Sequence, residues 1–232
     1  TGLMVCITGV SGSGKSTLAE EIIYKGIRRE KRFDFEKPGR YASIEGIEHI
    51  SNVILVDQSP IGKTPRSNPL TYIGAFDPIR KLLAQTPLAR ERKYKPGMFS
   101  FNVPGGRCDT CMGNGFEKVE MQFLSDVYIT CPDCQGRRFR REVLDVTYKG
   151  KNIGAILEMT FTEAYEFFKD TPAIIQLFQP IMDSGLEYLC LGQPVNTLSG
   201  GEAQRLKLAK YMGYHYAQNL LYIFDEPSTG LH

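Results

Sequence analysis

Gly9, Gly14, Lys15 and Ser16 stand in the run GVSGSGKS, which fits the pattern G-x-x-x-x-G-K-S. Glycines at this spacing let backbone N–H groups converge on phosphate oxygens, and a helix that follows adds its partial positive charge. The candidate ATP-binding set is Gly9, Val10, Ser11, Gly12, Ser13, Gly14, Lys15, Ser16 and Thr17. In such a loop the lysine reaches the β and γ phosphates and the serine hydroxyl ligates Mg²⁺. A second run, LLYIFDEP, places Asp225 and Glu226 after five apolar residues. That is the carboxyl end of a strand, where open α/β sheets hold their ligands. Asp225 is placed to hold Mg²⁺ directly or through water, and Glu226 to polarise an attacking water. The chemistry implied is magnesium-dependent hydrolysis of ATP, with Lys15 and Glu226 as candidate catalytic residues.

Two further constellations carry chemistry. Ser199, Gly200, Gly201 and Glu202 precede AQRLKLAKYM. Ser199 and Glu202 have capping-box spacing, which predicts a helix starting at Gly200. Its apolar surface comes from Ala203, Leu206, Leu208, Ala209 and Met212, and Gly213 ends it. Two glycines in a first turn cost about 1 kcal/mol each against alanine, which a close backbone approach to an anion would justify. The other constellation is Cys108-x-x-Cys111 with Cys131-x-x-Cys134, four of the six cysteines. Paired knuckles at this spacing point to zinc. Four thiolates leave no open coordination position, so the metal is read as structural; such a site can supply ~10–16 kcal/mol of apparent folding energy. Disulfides are the competing reading, and nothing in the chain suggests secretion. Gly113, Gly115 and Gly136 would free N–H groups to point at sulfur, while Cys6 and Cys190 read as buried small hydrophobes.

The elements that must position these groups follow from pattern. Residues 3–7 (LMVCI) read as a buried parallel strand, and 16–27 as a helix with Leu18, Ile22 and Ile23 on one face. Strands are expected at 53–56 and 220–224, and a zinc-based β-hairpin over 116–123 and 127–130. Helices are expected near 77–85, 162–169 and 172–182, the last opened by Thr171-Pro172 and stopped by Gly185. The fold class is α/β, a P-loop core with a mostly parallel sheet plus a helical domain carrying the zinc-bound hairpin. The division expected is 1–57 for the first core lobe, 58–195 for an insertion with the zinc module at about 100–142, and 196–232 for the return to the core.

GVSGSGKS, LSGGE and the apolar run ending in Asp225-Glu226 resemble the Walker A, signature and Walker B motifs of ABC-type ATPases. Gln58 lies where that family has its Q-loop glutamine, which implies a role beside magnesium and the attacking water. EPSTGLH at 226–232 resembles the D-loop, so His232 is not the family's switch histidine; that residue is expected further downstream. Resemblance implies that Ser199, Gly200, Gly201 and Glu202 serve a nucleotide held by another nucleotide-binding domain. The stretches DQSPIGKTPRSNPLTYIGAFDPIR, FSFNVPGGRC, MQFLSDVY and LSGGEAQR are similar to the UvrA family, the damage-recognition subunits of the bacterial excision nuclease, in their second, C-terminal nucleotide-binding half. That resemblance implies ATP, Mg²⁺ and structural Zn²⁺ as cofactors and a cytoplasmic location. It implies as partners damaged double-stranded DNA, the other nucleotide-binding half, a second copy in a homodimer, and a UvrB-type helicase subunit that binds through a region outside this chain. It also implies a piece of a longer protein, weak as an ATPase by itself. Family members linked to tolerance of DNA-binding drugs, and ATPase subunits of transporters or translation factors, are the alternatives.

Composition is compatible with this placement. At 232 residues, 42% hydrophobic and 23% charged, the chain has the make-up of a globular protein with a sizeable core. No run approaches the ~20 apolar residues of a membrane helix. Net charge is only +2, so DNA binding has no global electrostatic support. Local basic clusters exist at 28–32, 90–95 and 137–141. Of these, Arg137, Arg138, Arg140 and Arg141 are the candidate DNA contacts, through phosphates rather than base edges. The competing reading is that they neutralise the formal charge of a zinc tetrathiolate.

Overall fold

The computed structural model describes residues 2–34, 36–57, 59–62, 64, 66–119, 121, 127–212 and 219–227. The chain divides into two compact units, one of Thr1–Ser59 with Tyr214–His232 and one of Pro60–Gly213. The signature helix therefore belongs to the second unit, whereas the sequence division grouped it with the returning core.

In the first unit the strands Asn52–Val56 and Leu220–Phe224 pair in parallel, Asn52 opposite Leu220 and Val56 opposite Phe224. Val53, Ile54 and Val56 are buried, as is Ile27 from the short helix Lys25–Glu30. That helix continues a π-wound segment, Thr17–Tyr24. The expected helix is thus present but starts with wider turns. No residue of Thr17–Tyr24 is fully buried, so Leu18, Ile22 and Ile23 form no buried stripe. The strand expected at 3–7 is not formed. A buried strand needs a neighbour's backbone groups, and among the described residues the parallel ladder contains only the two strands above. Leu3, Met4 and Val5 are consequently 87%, 94% and 82% exposed. Cys6 is exposed for the same reason, which corrects its reading as a buried hydrophobe.

The second unit holds the large core. Helices Phe76–Ala84, Ile153–Glu158, Phe161–Phe167, Pro172–Asp183 and Gly200–Met212 bury a continuous cluster that includes Phe99, Phe101, Phe139, Phe161, Phe168 and Phe178. Their starts follow local chemistry. Asn68 and Thr71 form a capping box, as do Thr160 and Glu163. Pro172 opens the Pro172–Asp183 helix as expected, but the Thr171 side chain makes no capping bond. In the signature helix Ala203, Leu206 and Ala209 are buried and Met212 is exposed, so the last expected apolar position faces out. Gln204 and Lys207 take buried places instead. Two antiparallel ladders complete the unit: the hairpin Phe116–Val119 with Val127–Thr130, and the two-residue pair Thr147–Tyr148 with Lys151–Asn152. The hairpin's residues 120 and 122–126 lie outside the described set. Among the described residues no helix is long and apolar enough to cross a membrane.

The core meets the cysteine module through a close backbone crossing. A Cβ on Gly106 would lie 1.8 Å from the Met98 carbonyl oxygen. The Gly106 carbonyl also accepts the Arg140 N–H at 2.9 Å, so the backbone cannot withdraw cheaply. Gly106→Ala is expected to destabilise the second unit by roughly 1–3 kcal/mol. Thermal unfolding checks this; an unchanged melting temperature would mean that the crossing is looser than described.

Candidate functional site

The glycine-rich loop closes on its own lysine. Gly12 and Gly14 take left-handed φ angles of 78° and 86°. The Ser13 N–H donates to the Val10 carbonyl at 3.2 Å, and the Leu18 N–H to the Gly14 carbonyl at 2.8 Å. Lys15 Nζ donates to the carbonyls of Gly9 and Val10, both at 2.8 Å, and approaches Ser13 Oγ at 3.5 Å. A cation thus sits inside a ring of loop oxygens. Ser16, at the head of the π-wound segment, donates its hydroxyl to Asp225 Oδ1 at 3.2 Å. The strand pair makes this meeting possible. The Asp225 N–H donates to the Val56 carbonyl at 3.2 Å, so the ladder carries the carboxylate to the loop. Glu226 follows with φ of 46°, a left-handed conformation that an ordinary side chain adopts at a cost. Gln58, the third predicted member, lies outside the described residues, as do 228–232.

In the second unit the signature segment is built as its sequence predicts. The Glu202 N–H donates to Ser199 Oγ at 3.3 Å, and the Ser199 N–H to Glu202 Oε2 at 2.7 Å. Sequence reasoning missed one member. Tyr188 Oη donates to Glu202 Oε1 at 2.7 Å, which holds the second carboxylate oxygen. Burial pushes the Tyr188 hydroxyl up, and the Glu202 carboxylate beside it adds to that. Burial opposes ionisation of Glu202, but bonds from Tyr188 and Ser199 keep its pKa below the usual value. The carboxylate is therefore a fixed acceptor.

The four cysteines are all buried and free, with their sulfurs within 4.8 Å of one another. Cys108 Sγ lies 3.9 Å from Cys131 Sγ, and Cys111 Sγ 3.6 Å from Cys134 Sγ. Those distances exclude S–S bonds. A tetrahedral zinc with Zn–S near 2.3 Å requires S···S edges of about 3.8 Å, close to those two distances. The Gly115 N–H points at Cys111 Sγ at 3.2 Å, as its sequence suggests; at the second knuckle the donor is the Arg138 N–H, 3.4 Å from Cys134 Sγ, rather than Gly136. Thr110 also hydrogen-bonds Asp133, joining the two knuckles outside the sulfur cage. Burial pushes the Cys134 thiol up to about 12 and raises Cys111. Burial also works against the Cys108 thiolate, yet amides of Cys111 and Thr110 leave its pKa lowered. A divalent cation would convert all four to thiolates and release the protons.

The basic residues beside this cluster are not equivalent. Arg140 pairs with Asp109 at 2.8 Å, and Arg137 Nη2 donates to Gln135 at 2.8 Å, both on the surface. Arg141 is exposed at the start of the short helix Arg141–Leu144. Arg138 turns inward. Its guanidinium lies 5.2 Å from the Phe101 ring centre, and its Nη2 donates to the Gly192 carbonyl at 3.2 Å. Burial lowers its pKa, against the upward pull of Cys111 and Cys134. This inward position favours the reading that Arg138 compensates cluster charge. The other basic clusters are partly neutralised too, Arg28 by Asp34 and Arg92 by Asp145.

No family model matches the chain. Individual proteins do. The chain is 58% identical over 231 residues to UvrABC system protein A of Aquifex aeolicus, covering 100% of this chain and 25% of that protein. It is 54% identical over 231 residues to the protein of the same name from Methanothermobacter thermautotrophicus, covering 100% of this chain and 24% of that protein. The crystal structure of UvrA2 from Deinococcus radiodurans superposes with a TM-score of 0.88 at 48% identity, over 97% of this chain and 27% of that one. The chain thus spans about a quarter of the length of the proteins it matches. Its resemblance to UvrA, in sequence and in fold, holds from end to end.

The cysteine geometry makes a direct prediction. Purified protein is expected to carry about one zinc per chain. Cys131→Ser is expected to lose it and to unfold the hairpin base. Elemental analysis with thermal melting checks this; wild-type protein free of metal, with an undiminished melting temperature, would contradict it.

Proposed function

From this end-to-end match to UvrA proteins, we propose that the chain is an ATP-binding segment of the C-terminal nucleotide-binding half of a UvrA-type ABC ATPase, acting in recognition of damaged DNA for nucleotide excision repair. The observation that carries the nucleotide part is the bond from Ser16 Oγ to Asp225 Oδ1 at 3.2 Å. A hydroxyl and a carboxylate held at this distance, beside a glycine loop, are the two protein ligands that a phosphate-bound Mg²⁺ uses in P-loop ATPases. Ser16 Oγ and Asp225 would be the residues that hold Mg²⁺, which would neutralise phosphate charge there. The triphosphate would take over Lys15 from the carbonyls of Gly9 and Val10. ATP would then lie against the amides of 9–17. Glu226, with Gln58, would orient the attacking water. The metal and phosphates supply charge neutralisation; the chain supplies the cradle, the ligands and the base.

Ser199, Gly200, Gly201 and Glu202 would face a nucleotide bound elsewhere, in the other half of the protein or in a second copy. The fixed Glu202 carboxylate supports this by presenting the helix start in one conformation. A zinc at the four cysteines would be structural. The DNA surface would comprise Arg137, Arg140 and Arg141 on the outer side of the cysteine module, with Arg138 excluded. A homodimeric assembly and a UvrB-type helicase partner belong to the whole protein, as does a cytoplasmic setting.

Two experiments test this. In the full-length protein with the other ATP site disabled, Lys15→Ala is expected to lower turnover by roughly 10²-fold or more. Turnover left intact would remove the loop from the mechanism. In the same protein, Arg137→Ala with Arg141→Ala is expected to reduce the salt dependence of DNA binding by about 1 in log–log slope for each phosphate no longer gripped. A slope equal to the wild type would place the DNA surface elsewhere.

A further inference from the structure

We propose that Arg138 couples metal occupancy of the cysteine cluster to the order of the signature segment. This deepens the readings of the cysteines as a zinc site and of 199–202 as a nucleotide-facing motif, and rests on both. The argument begins with the main chain. Arg138, at a left-handed φ of 70°, donates its N–H to Cys134 Sγ at 3.4 Å and accepts the Cys108 N–H at its carbonyl at 2.8 Å. One residue therefore ties both knuckles together.

Its side chain leaves the cluster for the core. It lies over Phe101, which is fully buried, and donates Nη2 to the Gly192 carbonyl at 3.2 Å. Nη1 is buried with no hydrogen-bond partner. A buried guanidinium is tolerated where a compensating charge lies near, and a zinc tetrathiolate carries a formal charge of about −2. Without metal nothing bridges the four sulfurs, and Arg138, tied by its main chain to both knuckles, shifts with them. Water is at hand: a cleft of about 410 Å³, lined by Arg138, Gly136, Leu157 and Gly192 among others, opens beside the bridge. An Arg138 displaced with the knuckles would swing into it and release Gly192.

Gly192 is where release would matter. Its N–H donates to the Leu157 carbonyl at 2.8 Å, and an added Cβ would lie 2.9 Å from that same oxygen. The backbone is thus pressed between the Ile153–Glu158 helix on one side and Arg138 on the other. Gly192 also sits inside a loop closed by the Tyr188–Glu202 bond. Along that loop the Val195 N–H donates to the Ser67 carbonyl at 2.9 Å, the Leu198 N–H to Val195 at 3.3 Å, and the Ser199–Glu202 box follows. Loosening Gly192 removes one fixed point of the segment that delivers Ser199, alongside those at Leu191, Val195 and Thr197.

The test is amide hydrogen exchange over 193–202 in the full-length protein, with zinc content measured on the same samples. In zinc-loaded Arg138→Met, exchange there is expected to rise about tenfold, the local opening that follows removal of one charge-assisted bond of ~1.4 kcal/mol. Removing zinc from the wild type with a chelator is expected to give a similar rise, and removing it from Arg138→Met little more. Should Arg138→Met lose its zinc, Arg138→Lys keeps the charge but not the reach to Gly192, and the same rise with zinc bound supports the coupling. Zinc-loaded variants with wild-type exchange, or equal loosening of wild type and Arg138→Met on chelation, would overturn it. Zinc analysis separates the failures. A wild type without zinc sinks the metal reading and the coupling together, whereas zinc present with amides indifferent to Arg138 sinks the coupling alone.

Discussion

The parallel ladder between Asn52–Val56 and Leu220–Phe224 is the constraint on which the first unit depends. The whole Pro60–Gly213 unit intervenes between these strands in sequence, so the ladder closes a very long loop. Closure entropy grows only slowly with length, and burial of Val53, Ile54 and Val56 can offset it. The consequence is chemical. Pairing Val56 with Phe224 sets Asp225 at the end of the ladder, within 3.2 Å of the Ser16 hydroxyl. Neither group is a metal site alone. Under the proposed function their meeting would make the glycine loop and the strand end two ligands for one cation.

The second unit is organised on a different principle. Its core is large and aromatic, with Phe76 stacked on Phe101 at 5.0 Å and Phe101 edge-on to Phe139 at 6.1 Å. Such a core holds the helices by ring packing. The cysteine module has little apolar interior of its own; Val127, Tyr128 and Ile129 of its hairpin are exposed. Small modules of that kind need a metal or a crosslink to hold a fold. Gly106, Phe139 and Arg138 join the two regimes by backbone crossing, ring packing and charge.

Much of this was legible in the sequence, for a physical reason. Capping boxes, CxxC knuckles and glycine loops are local, so spacing alone specifies them. Ser199 with Glu202 and the sulfur cluster follow from a few residues each. The apolar runs at 53–56 and 220–224 read correctly because each finds the other as a partner. The run at 3–7 looks identical by composition and pairs with neither, because pairing is a property of neighbours rather than of a segment. Arg138 and Tyr188 were opaque for a related reason. A basic residue among basic residues reads as surface, and only the tertiary placement of Phe101 and Gly192 turns Arg138 inward. The π-winding of Thr17–Tyr24 left no mark in residue type either.

The central claim is that Ser16 and Asp225 share one Mg²⁺ bound to ATP. Its most direct measurement is ATP affinity by calorimetry in the full-length protein with the other site disabled, with and without Mg²⁺, for wild type and Asp225→Asn. The account requires that Mg²⁺ tighten binding to the wild type and leave Asp225→Asn nearly indifferent. An Asp225→Asn protein that keeps the full Mg²⁺ enhancement would contradict it.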